Sequence, residues 1–293
     1  VHADDLRKLM VRLPRVVAHM RRLRKQELTV RIHHPLRGTR SLHVRFNPVR
    51  MVADGTVRVF GIAEDVTQRV AEEKQRIEDA LRQRDILVRE VHHRIKNNLQ
   101  GVAGLLQHMA TSKPELAVYL DEIASQIQAI AQVHGLQIRA TGTLPILGVV
   151  QGIFGSLSTM FGVSIQLETP PPALWRWGLP EQEAVPLALT INELGTNAIK
   201  YRSHRDAPIG VRLNPLPYGI ELLIENPGQL AEGFDLARIS AGVSGLGLIK
   251  ALLPRRGARL SIEQHGARVL TRLELSAPAI GEDTDESVGE GPA

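Results

Sequence analysis

The chain has 293 residues, 43% of them apolar and 23% charged, with a formal net charge of +5 and no cysteine. That length suits about two or three domains, the composition excludes wholesale disorder, and the missing cysteine excludes a disulfide framework, a thiolate metal site and a cysteine nucleophile. The basic excess is local: residues 1–60 hold 14 Lys and Arg against four acids, the rest of the chain carries a net −5, and aromatics are 3%, so no nucleic-acid partner is expected.

No apolar run reaches the ~18 residues of a membrane span, and the basic first 25 residues do not form a signal peptide; a cytoplasmic protein is expected. The chain opens on Val1 rather than methionine, as a piece of a longer protein does. Residues 3–26 have a helical pattern interrupted at Pro14. Residues 28–65 are β-rich, with Leu42, Val44 and Phe46, then Val57 and Val59, alternating as in half-buried antiparallel strands. Asp54-Gly55 between two such runs predicts a hairpin turn.

From Thr67 the period changes. Ile77, Leu81, Val88, Val91, Ile95, Val102, Leu105 and Met109 follow an a/d heptad to about Ala110, with Arg84 and Asn98 as polar seam positions. Ser112-Lys113-Pro114 breaks it. A second helix carries Leu116, Leu120, Ile123, Ile127 and Ile130 at the same spacing. Two such helices predict an antiparallel hairpin with too little core of its own, hence a homodimer built on a four-helix bundle. Gly142 and Pro145 mark a boundary. Beyond it, helices at 146–162 and 181–201 mix with strands at 164–168, 210–214, 219–225, 258–264 and 268–275, an α+β sandwich. Residues 281–293 hold five acids, and a disordered acidic tail is expected from 279 onward.

Three segments carry chemistry. With Val91 at d and Ile95 at a, His92 and His93 fall at e and f, away from the seam. His93 is then an exposed imidazole, nucleophilic near neutral pH, or only a solvated side chain. Glu90 and Asn97 share its face: the carboxylate can orient or deprotonate the ring, the amide can position a water or a phosphoryl oxygen. His134 falls in phase with Leu120, Ile127 and Ile130 and reads as packed. On the helix at 181–201, Glu193, Asn197 and Lys200 form one stripe. It suits Mg²⁺-phosphate chemistry, or it is a solvated polar face. Gly242-Val243-Ser244-Gly245-Leu246-Gly247-Leu248 opens a further helix, which lets backbone amides approach a phosphate, or marks only a turn.

The strings around these residues add a resemblance. HHRIKNNLQ resembles the phosphoacceptor box of bacterial sensor histidine kinases of the HWE-related class, where H-R-x-K-N-N-L recurs, and QIQAIAQVHGLQ resembles the second helix of their dimerisation and phosphotransfer domain. NELGTNAIKY and SGLGL resemble the Asn box and glycine box of GHKL-type ATP-binding domains. GIAEDVTQR resembles the close of a PAS domain, of which the chain holds a C-terminal part. The resemblance implies a multidomain α+β chain: a partial PAS β-sheet module at 1–66, a signalling helix and dimerisation hairpin at 67–141, an α/β-sandwich ATPase domain at 142–278, and the tail at 279–293.

It also implies a sensor histidine kinase using ATP and Mg²⁺. His93, directly before Arg94, would take the phosphoryl group and pass it to the receiver domain of a response regulator. Asn197 would bind Mg²⁺, Lys200 a phosphate, Gly245, Leu246 and Gly247 the triphosphate, and Tyr201 would border the nucleotide. Glu193 would polarise a water or order the Mg²⁺ shell. The usual D-x-G-x-G box appears as IENPGQL: Glu225 stands where the adenine-binding Asp is expected, Asn226 is the next candidate, and Pro227 and Gln229 replace the glycines, implying weaker nucleotide binding. A non-catalytic dimeric scaffold, or a phosphatase in which Asn97 places a water, are the alternatives.

Overall fold

The computed structural model describes residues 26–50, 57–138, 143–204, 206–243 and 245–282. The helical pattern expected at 3–26 apart from Gln26, which opens a strand, the Asp54-Gly55 turn, Gly142, Ser244 and the tail from 283 lie outside the described residues. The chain divides into two compact units, Val1–Ile86 and Leu87–Ala293.

In the first unit, β1 (Gln26–His34), β2 (Gly38–Arg50) and β3 (Val57–Asp65) form an antiparallel meander in that order. The β2–β3 register runs from Leu42↔Asp65 to Arg50↔Val57. The sheet hands over directly to α1 (Thr67–Ser112). The Asp65 carboxylate accepts from the Thr67 hydroxyl and, at 3.0 Å, from the Thr67 amide, while Thr67 Oγ1 accepts from Ser41 N at 2.9 Å. The helix start is thereby capped and tied to β2.

α1 ends just before Lys113-Pro114, as the residue preceding a proline avoids helical dihedrals. α2 (Ala117–Gln137) returns beside it. His92 Nδ1 lies 3.0 Å from His134 Nδ1, with the ring centroids 5.3 Å apart, and the Lys96 side chain passes over Gly135. The residues of α1 that are buried are Ala103 and Ala110. Most of its heptad row stays bare in the single chain: Ile77 is 55% exposed, Val91 53% and Leu105 66%. The row is therefore surplus to the hairpin.

After β4 (Leu144–Pro145), α3 (Ile146–Phe161) ends in the left-handed Gly162; then come β5 (Ile165–Leu167), β6 (Trp177–Leu179) and α4 (Glu181–Lys200). Next are β7 (Ile209–Leu216), β8 (Gly219–Pro227), α5 (Gly245–Leu252), β9 (Ala258–His265), β10 (Arg268–Ser276) and β11 (Gly281–Glu282). The main sheet has the order β5-β7-β8-β10-β9, with β5 parallel to β7 and the other pairs antiparallel. Alternate residues Ile209, Val211 and Leu213, Ile220, Leu222 and Ile224, and Leu273 and Leu275 share one buried cluster with Phe154, Leu157, Leu187 and Ile191 of the helices. The residues between them pair across strands on the other face: Arg212 with Glu168 and Glu225, Arg272 with Glu221. One face is thus a helix-covered core and the other a charge-paired surface, the period-2 signature of a half-buried sheet.

Two features depart from the sequence reading. Ala129 and Val133 of α2 belong to the α/β core, so the second hairpin helix packs as part of that domain. The tail does not begin at 279: Ala279 and Ile280 are each 1% exposed, and β11 pairs with β6 through Gly281↔Gly178 and Glu282↔Trp177. Burial of the Ile280 side chain draws that segment in. No described helix is long and apolar enough to cross a membrane.

Candidate functional site

A cavity of about 940 Å³ opens in the second unit, and three walls are built from stretches far apart in sequence. α4 contributes Glu193, Thr196, Asn197 and Lys200, with Tyr201 at its end; β8 and β10 contribute Asn226, Val269 and Thr271; the start of α5 contributes Gly245 and Leu246. A fourth wall is α2, through Tyr119, Glu122, Ile123 and Gln126. Acidic Glu181 and Glu183 in the first turn of α4 and Lys200 in its last complement the helix dipole. Gly195, between Glu193 and Asn197, brings α4 against α3: a Cβ there would lie 2.6 Å from Leu157 Cδ1.

Glu193 is 1% exposed and accepts from Gln126 Nε2 at 2.8 Å. Burial pushes its carboxyl above the usual glutamate range; the Gln126 hydrogen bond opposes this, the nearby Glu122 charge adds to it, and the Gly245 backbone hydrogen bond and the Lys200 charge oppose it further. Next to it, Asn192 Nδ2 donates to Ser125 Oγ at 3.1 Å. Hence α2 is stitched to α4 beside the cavity floor. Thr196 Oγ1 and Asn197 Nδ2 are buried without a hydrogen-bond partner among the described residues. Lys200 Nζ lies 5.8 Å from the Tyr201 ring centroid.

The described residues hold no group of three or more His, Cys, Asp or Glu that would cage a metal by themselves. The cavity instead offers the carboxylates of Glu193 and Glu122, the carboxamide oxygen of Asn197 and the unpartnered hydroxyl of Thr196. Such a sparse, hard-oxygen set fits Mg²⁺, which keeps waters and takes its other ligands from phosphate.

At the glycine-rich loop, Gly245 has φ +56°, a conformation that only glycine adopts readily. Gly247 does not line the cavity; it packs the loop onto the helix, since a Cβ there would lie 3.0 Å from Gly242 N. Gly242 N donates to Gly247 O at 2.9 Å.

The expectation for Glu225 is overturned. Its carboxylate accepts from Arg212 Nη2 at 3.2 Å and Arg268 Nη1 at 2.8 Å on the charged face of the sheet, and it does not line the cavity. Asn226 does, and it is 3% exposed. The reason is strand alternation: Asn226 continues the Ile220, Leu222, Ile224 face, so the box is read one residue late, as Asn226-Pro227-Gly228. Gly228 fills a close approach, because a Cβ there would meet Tyr201 O at 2.6 Å.

On α1, His93 is exposed and Asn97 Nδ2 lies 3.4 Å from His93 Nδ1. Glu90 shares that face, yet it accepts from Arg94 Nε at 2.7 Å, and that hydrogen bond and charge hold its carboxyl below the usual range. His92, expected to point away from the seam, is instead half-buried against His134. Burial, then the His92 charge, hold His134 below the usual histidine range. None of Glu90, His93 and Asn97 lines the cavity.

Residues 90–159 match the HisKA_2 histidine kinase family. The chain is 28% identical over 214 residues to the sensor histidine kinase PdtaS of Mycobacterium tuberculosis, covering 69% of this chain and 40% of that protein. It is 25% identical over 145 residues to a blue-light-activated histidine kinase of Brucella anthropi, covering 49% of this chain and 27% of that one. Among solved structures, the histidine kinase domain of the Erythrobacter litoralis EL346 blue-light activated kinase matches 68% of this chain and 94% of its own, at 19% identity and a TM-score of 0.45. The chain thus resembles histidine kinases over residues 90–159 and is related to sensor histidine kinases along 69% of its length, and it spans about 40% of the length of the PdtaS relative.

Proposed function

We propose that this chain is an ATP-dependent protein histidine kinase of a two-component pair, acting as a homodimer in the cytoplasm. ATP enters the cavity, His93 accepts its γ-phosphoryl group, and an aspartate on a response-regulator receiver domain takes that group on. The observation that carries the reading is convergence: Glu193, Asn197, Lys200 and Tyr201, then Asn226, then Gly245 and Leu246 meet in one cavity, each with the chemistry that its part of a nucleotide needs.

Lys200 neutralises phosphate charge, and Gly245 and Leu246 present the start of α5 to the phosphates. Asn197 and Glu193 are the side chains that would hold Mg²⁺, which supplies charge neutralisation on the phosphoryl oxygens. Asn97 sits beside His93 Nδ1; with its carboxamide turned so that Oδ1 accepts from Nδ1–H, the neutral ring keeps its lone pair on Nε2, which attacks phosphorus as the bond to the β,γ-bridging oxygen breaks and ADP leaves. The chain must bring His93 to the cavity mouth for this, a movement of the kind that gates many phosphotransferases. Incubation with labelled ATP and Mg²⁺ tests the reading. Label stable to alkali and lost in acid is the expected result; no label and no nucleotide binding would overturn it.

The bare heptad row supports the dimer. Val91 sits mid-row, and Val91→Glu would bury an unpaired charge there, at about 3–5 kcal/mol. The dimer dissociation constant should rise by about two orders of magnitude or more, read by sedimentation velocity with Val91→Ala as the control. Glu225 lies outside the cavity, so Glu225→Gln should leave ATP affinity within about twofold. It should lower stability by no more than about 1 kcal/mol, since its arginine partners are largely solvated. Calorimetry and urea denaturation check both.

A further inference from the structure

His92 and His134 meet nitrogen to nitrogen. Their Nδ1 atoms are 3.0 Å apart and the ring centroids 5.3 Å, a separation that exceeds the nitrogen gap by little more than two ring radii, so each nitrogen points along the line between the rings. A neutral imidazole has one N–H and one lone pair. One ring therefore donates its Nδ1–H and the other accepts. One added proton leaves that bond in place, now charge-assisted. A second puts hydrogen on both facing nitrogens and sets two cations against each other. The gap has room for a single hydrogen.

The surroundings do not compensate a second proton. The influences on His134, largest first, are burial, the His92 charge and an opposing Gln137 hydrogen bond; no carboxylate is among them. The charged neighbour on α1 is Lys96, whose side chain lies over Gly135. α3 packs on α2 through Gly148 and Gly152, against Leu136 and Gln132, and carries no ionisable side chain. Glu193 of α4 meets α2 at Gln126, about two turns away. The contact also holds a stretch of helix with little else to hold it, since no residue of α1 before Ala103 is buried. We infer that the pair is a proton-operated clasp between α1 and α2, closed while it holds at most one added proton and opened by a second, which frees the turn of α1 that carries His93. The clasp goes beyond the kinase reading and does not depend on it.

The sign follows from linkage. Burial and the His92 charge hold His134 below its ordinary 6.5. Just below that pH the closed pair binds fewer protons than the open one, so the closed state loses ground as pH falls, by up to about tenfold per pH unit for one proton. Hydrogen–deuterium exchange of the full chain at pH 7.5 and 5.5, corrected for intrinsic exchange rates, tests this. In the parent, opening of residues 88–96 should rise about tenfold at the lower pH, with residues 187–194 of α4 as the control for global stability. His134→Gln keeps a hydrogen-bonding side chain but cannot take the second proton, so the rise should shrink to within about twofold, and His92→Gln should behave alike. Equal protection of 88–96 in the parent at both pH values overturns the inference, and so does a rise of full size in either variant. The parent result stands even if a variant folds poorly.

Discussion

His93→Gln is expected to abolish phosphoryl labelling from ATP while the fold survives. The imidazole is the group with a nucleophilic nitrogen at neutral pH on that face of α1, and a glutamine amide nitrogen has no such lone pair. The structural effect should be small. Position 93 is exposed, glutamine is a good helix former, and the lost contact is the 3.4 Å approach of Asn97; surface changes of this kind stay within about 0.5 kcal/mol. His92→Gln should do the reverse. It breaks the contact with His134 and weakens the hairpin, yet leaves labelling largely intact. Parent-level label on the His93 variant would move the acceptor elsewhere.

Glu193→Gln should lower the labelling rate by about a hundredfold or more and at the same time stabilise the protein at neutral pH. The sign follows from linkage. Burial raises the folded-state carboxyl above its ordinary value of 4.5. The native state therefore binds more protons than the unfolded chain between pH 4.5 and that raised value, and stability falls as pH rises through this window. Glutamine keeps the Gln126 hydrogen bond through its own oxygen and carries no charge to bury. The variant's advantage in urea denaturation should be absent below pH 4.5 and grow above it. A variant that is less stable than the parent at pH 7 would mean that the charged form is well solvated in the native protein.

Much of this was legible from spacing. The 3.6-residue period placed Glu193, Asn197 and Lys200 on one stripe, and the apolar alternation of β7, β8 and β10 gave the sheet. The misses have local causes. A one-residue slip along a strand exchanges its faces, and reading Glu225 rather than Asn226 is such a slip; the run Ile220, Leu222, Ile224 carried the signal that fixes it. β4, β6 and β11 are two or three residues long, too short for alternation to show. The merging of α2 with the α/β core depends on Ala129 and Val133 meeting residues distant in sequence, which no periodicity encodes. His92 turned inward because it meets His134 across the hairpin, a partner 42 residues away that the heptad of its own helix does not encode.

The Gln126–Glu193 hydrogen bond and the α2 residues in the cavity wall make two surfaces of this molecule thermodynamically inseparable. Tyr119, Glu122, Ile123 and Gln126 belong at once to the hairpin and to the cavity that holds Glu193 and Asn197. Any ligand whose binding to the hairpin shifts α2 changes the cavity's affinity by some factor, and reciprocity requires the cavity's occupant to change that ligand's affinity by the same factor. A coupling free energy of about 1–3 kcal/mol, the ordinary scale for such linkage, corresponds to roughly 5–150-fold. Filling the cavity and engaging the hairpin are then two readings of a single equilibrium.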